Sequence, residues 1–223
     1  MVLQKWVLLI WLSVLGAPAF ALELAGSVRL LADGKPLRTS ESGEAVVYFR
    51  PSAKIKLPPV PAPYVMKTVR KSFSPSALPI LIGSTVNFPN EDPILHNAFS
   101  TAQNNAFDTG LYGRGEGGSH VFKTVGLVRI YCNVHHSMLG HILVLDTPYF
   151  ANPDANGRFR FKDLASLDGE LFVWHERATL WRKPIKLDTG QHLTITLNLS
   201  KRRVPPHLNK FGKPYRRSTR GEY

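Results

Sequence analysis

The sequence predicts an all-β protein, and three observations predict it. From Ser27 to Leu199 short runs recur that alternate apolar and polar residues or are enriched in β-branched and aromatic ones. Clusters of Gly, Pro, Asn and Asp, the residues of tight turns, separate these runs. No segment sustains the 3.6-residue apolar period of an amphipathic helix. A chain of 223 residues, 43% apolar and 20% charged, can bury the cores of one or two domains, which excludes disorder throughout.

Taken in order, the chain begins with Lys5, an apolar run from Trp6 to Leu15 and the small-residue pattern Ala19-Phe20-Ala21. That pattern predicts a secretory signal peptide over 1–21 and a periplasmic mature protein. The run is shorter than the roughly 20 apolar residues of a spanning helix, and no later segment approaches that length, so no stable membrane span is expected. Strands are expected at Ser27 to Leu31 and Ala45 to Arg50, with Gly34-Lys35-Pro36-Leu37 as a turn between them. The segment Leu57-Pro58-Pro59-Val60-Pro61-Ala62-Pro63 cannot donate a regular hydrogen-bond ladder and reads as an extended connection.

Next come expected strands at Leu78 to Ile82, Thr85 to Phe88, His120 to Lys123, Leu127 to Cys132 and His141 to Leu145. They outline a unit over 64–146, or from 45 if the strand at Ala45 belongs to it. The glycines of Gly113 to Gly118 read as a flexible connection, since no helix follows to make a phosphate site. Asp146-Thr147-Pro148 is a second break. Asn152 to Gly157 then opens strands at Arg158 to Phe161, Leu171 to His175, Pro184 to Leu187 and His192 to Leu199. Four strands are few for a sandwich, so the smaller unit over 147–200 is expected to be completed by the strands of 24–50.

The formal charge is +12, and removal of the leader with Lys5 leaves +11. Much of it lies in 201–223, in Lys201, Arg202, Arg203, Lys210, Lys213, Arg216, Arg217 and Arg220. Export argues against a nucleic-acid partner for this tail. It reads as a disordered, solvated segment that can dock to an acidic protein or an anionic membrane surface.

Cys132 is the single cysteine. In an exported chain a lone thiol is ordinarily buried or paired between chains. Its neighbours change that reading. In Tyr131-Cys132-Asn133-Val134-His135-His136-Ser137-Met138 a thiolate, an imidazole and a thioether follow one another at intervals of three, so one loop can present all of them to one ion. Blue-copper sites use two imidazoles, a thiolate and a weak axial thioether. The second imidazole must come from another loop, and His96, 36 positions before Cys132, ends the turn-rich segment Phe88 to Asn97. Zinc also accepts Cys and His, but methionine is a poor reason to choose it. The metal ligands read from the sequence are therefore His96, Cys132, His135 and Met138, and the cofactor is one copper.

On these residues, with Phe73-Ser74-Pro75, Leu78-Pro79-Ile80, Gly83-Ser84-Thr85-Val86 and Phe88-Pro89-Asn90, residues 64–146 resemble a cupredoxin of the plastocyanin and amicyanin type. The short Cys132-x-x-His135-x-x-Met138 loop is similar to that of amicyanin, and the arrangement to plastocyanin-like proteins associated with methylamine utilisation. The resemblance implies a Greek-key sandwich, binding through Nδ1 of both histidines, and an electron exit beside His135. It also implies that the Asn97 side chain ties the two ligand loops together. His136 departs from the family, where proline is common. Residues 151–199 weakly resemble the small sandwich of carboxypeptidase regulatory-like or prealbumin-like domains, with Trp174, Trp181 and Phe172 as core or sandwich-edge residues rather than a carbohydrate platform.

Function follows as single-electron transfer between exported redox partners, such as a c-type cytochrome or a dehydrogenase, with no catalytic residues. Copper delivery, assisted by His136 and His141, and a recognition module with structural copper are the alternatives. Three methionines in the whole chain argue against a Met-rich delivery tract. An oxidase would need further copper ligands than one cysteine supplies.

Overall fold

The computed structural model describes residues 22–166, 168–186, 192–201 and 206–215; the expected leader lies outside the described residues. The all-β expectation holds: the sole helical element is a short 3-10 turn at Thr39–Glu44 among the described residues. No helix among them is long and apolar enough to cross a membrane.

Four sheets stack as two sandwiches. In the first, one sheet runs Phe107–Asp108, Phe99–Ser100, Gly126–Tyr131, Leu139–Leu145, Ala77–Leu81. The facing sheet runs Gly115–Val121, Thr85–Asn90, Lys67–Val69, Ser72–Ser74, with Tyr64–Val65 also on Thr85–Asn90. The chain passes from sheet to sheet, and Leu139–Leu145 returns parallel to Ala77–Leu81, in a Greek-key arrangement. Met66, Phe73, Ile80, Val86, Phe88, Phe122, Val128, Ile130, Ile142 and Val144 fill the space between the two sheets, all buried.

The second sandwich draws on both ends of the chain. Leu24–Ala32 runs parallel to His192–Leu199 and antiparallel to Arg158–Phe161. Val46–Pro51 lies between Phe150–Ala151 and Asp168–Trp174, with Trp181–Lys186 outside. Leu24, Val28, Val47, Phe49, Phe159, Leu171, Val173 and Ile195 form its core. Gly26 and Gly169 are required there, because a Cβ would fall 2.5 Å from the Leu193 carbonyl oxygen and 2.3 Å from that of Arg50.

Period-two alternation places Val47, Phe49, Leu171 and Val173 in that core and turns Val46, Tyr48 and Phe172 to the opposite face. There they meet Ala77, Leu143 and Leu145, the outward residues of the first sandwich. Tyr48 stacks on Phe172 with centroids 4.6 Å apart. Strands buried on both faces read as continuous apolar runs, as Ala45 to Phe49 does.

The glycine-rich stretch read as a flexible connection is instead part of the strand Gly115–Val121, paired with Thr85–Asn90 and bulged between Gly115 and Gly118. Gly117 has φ +67°, and a Cβ there would sit 2.0 Å from the Phe88 carbonyl oxygen. Its glycine permits a close backbone approach at a bulge rather than looseness.

Candidate metal centre

His96, Cys132 and His135 come together at one end of the first sandwich, with one potential ligand atom of each within 4.8 Å of the others. Cys132 leaves the end of Gly126–Tyr131, and Met138 precedes Leu139–Leu145, so the ligand loop is the connection between two paired strands. The Met138 amide donates to the His135 carbonyl at 3.0 Å, closing the loop as a turn. His96 is pinned by a backbone pair with Tyr112, at 3.1 and 2.9 Å.

The donor atoms suit a metal ion. His96 is fully buried, and its Nε2–H donates to Asp92 Oδ2 at 2.9 Å, which leaves Nδ1 facing Cys132 Sγ at 3.6 Å. The rings of His96 and His135 lie 4.9 Å apart. His135 Nδ1 is buried and has no hydrogen-bond partner among the described residues. Such an orphan costs stability unless something occupies it. Burial first, then the neighbouring His96 and Lys71, push the His135 pKa down and keep its lone pair available. Met138, 1% exposed, packs in the same core cluster as Cys132.

Asp92, which sequence reasoning passed over as a turn residue, organises the His96 side. Its carboxylate accepts the amides of Arg70 at 2.6 Å and Lys71 at 2.8 Å besides the His96 ring. Arg70 and Lys71 are the two turn residues between Lys67–Val69 and Ser72–Ser74, with φ +51° and +53°. Such a turn usually takes Asn or Gly; here a buried carboxylate holds both amides. Burial raises the Asp92 pKa, but the bonds from Lys71, His96 and Arg70 outweigh it and hold the carboxyl below its ordinary range.

Asn97 takes the place the resemblance implied. Its Oδ1 accepts the Asn133 amide at 2.7 Å, bridging the two ligand loops, and its Nδ2 donates to Asp108 Oδ1 at 2.9 Å. Burial lifts the Asp108 pKa, and bonds from Lys210, Asn97 and the Gly110 amide more than offset it.

The other histidines divide. His136 is exposed on the ligand loop, with its ring 5.7 Å from that of Tyr215. His141 is buried on the outward face of its strand, 5.0 Å from the Trp174 ring and 3.7 Å from Glu176, at the junction of the sandwiches rather than in the His96, Cys132, His135 cluster. Of the tail expected to be disordered, residues 206–215 lie against the loop that carries Cys132, and 202–205 and 216–223 lie outside the described residues. His207 stacks on Tyr131 at 4.0 Å, and the Tyr215 hydroxyl donates to the Cys132 carbonyl at 3.3 Å. Burial, then the proximity of Cys132 and Tyr131, push the Tyr215 pKa up to about 12, so it remains a donor at neutral pH.

No family model matches the chain, and no curated protein matches it. Among solved structures it is similar to a reduced amicyanin variant, at 21% identity over 37% of this chain and 81% of that one, with a TM-score of 0.35. A purple cupredoxin from Nitrosopumilus maritimus matches at 27% identity over 38% of this chain and all of that one, TM-score 0.33. Amicyanin from Paracoccus versutus matches at 19% identity over 39% and 86%, TM-score 0.34. What the site can do follows from its own atoms: a buried thiol and two imidazoles, one with an orphaned nitrogen, can hold a metal ion.

Proposed function

We propose that this chain is an exported type 1 copper protein that carries single electrons between redox partners. The observation that carries the reading is the buried cluster of His96, Cys132 and His135 with His135 Nδ1 lacking any hydrogen-bond partner among the described residues. Two imidazoles, a thiolate and a thioether are the donor set of blue copper, and His96, His135, Cys132 and Met138 would hold the ion and supply one-electron chemistry. Bound copper would cycle between Cu(I) and Cu(II), taking up and releasing one electron.

The residues of this chain hold that site still. Asp92 holds the His96 ring and Asn97 clamps the Asn133 amide, contacts that would restrain both loops around a bound ion. The two-sheet core behind Cys132 and Met138 excludes water from the thiolate. His135 is only partly buried and offers the edge nearest solvent. The signal-like N terminus supports a periplasmic location, and a c-type cytochrome or a dehydrogenase is the partner class that fits it. The basic residues of the tail favour an acidic docking surface and a salt-sensitive encounter.

The test is reconstitution of the full chain with Cu(II), followed by visible absorption and a reversible redox titration. An intense thiolate-to-copper band, lost in Cys132→Ser, is the expected result. Absence of that band, or its survival in Cys132→Ser, refutes the assignment.

A further inference from the structure

The C-terminal segment closes a ring of hydrogen bonds around both ligand loops. Starting at Asn97, beside His96, Oδ1 accepts from the Asn133 amide, beside Cys132, at 2.7 Å. The Asn133 side-chain oxygen accepts the Lys210 amide at 3.1 Å. Lys210 Nζ donates to Asp108 Oδ2 at 2.6 Å, and Asp108 Oδ1 accepts Asn97 Nδ2 at 2.9 Å, which completes the ring. Tyr215 adds a bond from its hydroxyl to the carbonyl of Cys132 itself.

The segment is shaped for this contact. Asn209 Oδ1 accepts the amides of Phe211 at 2.9 Å and Lys213 at 3.0 Å, and Gly212 takes φ +72°, so the five residues form a compact side-chain-capped turn. That turn presents the Lys210 amide and ammonium in adjacent directions. On one side of it His207 lies flat on Tyr131, the residue before Cys132, and the Tyr215 ring meets His207 edge-on at 5.3 Å. A merely solvated basic tail would make none of these contacts.

We infer that Lys210 and Tyr215 are positioning residues of the metal centre, and that the C-terminal segment is a strap that fixes the separation of the His96 loop from the Cys132 loop. The inference rests on the proposal that His96, Cys132 and His135 hold copper. The strap acts on the ligands through Asn97, Asn133 and the Cys132 carbonyl, without reaching the ion. Loss of such outer bonds ordinarily weakens metal affinity about 10-fold to 100-fold.

The experiment uses the full chain with Lys210→Met and Tyr215→Phe, singly and together, and Lys210→Arg as the conservative variant. Three quantities are read: the rate at which a Cu(I) chelator strips copper, the reduction potential, and, on metal-free protein, the rate at which iodoacetamide alkylates Cys132. The double variant is expected to lose copper about tenfold faster or more. If the two oxidation states are affected unequally by tenfold, the potential moves by about 59 mV. Cys132 alkylation in the metal-free double variant rises severalfold, and Lys210→Arg stays close to the parent in all three.

Unchanged copper loss and potential in the double variant overturn the inference, even if alkylation accelerates, because the strap would then cover the loop without positioning it. If the parent chain shows no thiolate-to-copper band, the copper reading itself fails and takes the inference with it. The two failures are thus told apart by the parent protein alone.

Discussion

Replacing Asn97 by alanine tests the clamp between the ligand loops. Asn97 is fully buried and makes two bonds, accepting from the Asn133 amide at 2.7 Å and donating to the Asp108 carboxylate at 2.9 Å. A neutral bond contributes about 0.5–1.5 kcal/mol and one to a charged group about 1.5–3 kcal/mol, so Asn97→Ala should cost about 2–4.5 kcal/mol. Asp108 keeps Lys210 and the Gly110 amide, which places the outcome toward the lower half of that range. For a chain of this size each kcal/mol lowers the melting temperature by about 2–4 °C, giving a drop of roughly 4–18 °C in the metal-free protein. Calorimetry under reducing conditions reads this directly, and on the proposed copper reading chelator-driven copper loss in parallel should accelerate. Asn105→Ala is the control: it loses one buried bond, to the Thr124 carbonyl at 2.9 Å, away from both ligand loops. It should lower stability modestly and leave copper retention unchanged. A melting shift below about 2 °C for Asn97→Ala, or equal copper loss in both variants, would refute the clamp.

Two further outcomes follow from the same contacts. Phe172→Ala removes a ring that is 5% exposed and stacked on Tyr48 between the sandwiches, so it should cost about 3–5 kcal/mol while the copper spectrum stays unaltered, a result that melting and absorption check together. Asp108 has a folded pKa below its unfolded value, so its contribution is full above about pH 5, begins to fall as the unfolded carboxylate protonates near pH 4, and is lost as pH falls through the depressed folded value. The melting difference between the metal-free parent and Asp108→Asn should therefore hold steady from neutral pH to about pH 5 and shrink at more acid pH. A difference that already vanishes near pH 6 would contradict this assignment.

Much of the candidate metal site was legible because most of the residues that could hold an ion lie close together in sequence. Cys132 and His135 lie within one turn, with Met138 closing it, and the soft donors limit the choice of ion whatever surrounds them. His96 was legible less directly, as an imidazole at the end of a turn-rich segment. Asp92 was hidden because an aspartate in a turn looks alike whether it faces solvent or caps two strained amides and an imidazole. Gly117 misled for a related reason: glycine marks both loose chain and tight backbone approach, and only the Phe88 carbonyl beside it distinguishes them.

By itself, then, the sequence determined the strand alternation, the turn punctuation and the spacing of the ligand loop, since each is set by residues within a few positions of one another. Tertiary structure decided what crosses the chain: the parallel pairing of Leu24–Ala32 with His192–Leu199, the second buried face carrying Tyr48 and Phe172, and the bonds of Lys210 to Asn133 and Asp108. A period-two pattern states which residues share a face without stating what that face meets. The bond from Lys210 to Asp108 joins positions 102 residues apart, and a lysine of a basic tail carries no local mark of the carboxylate it will reach.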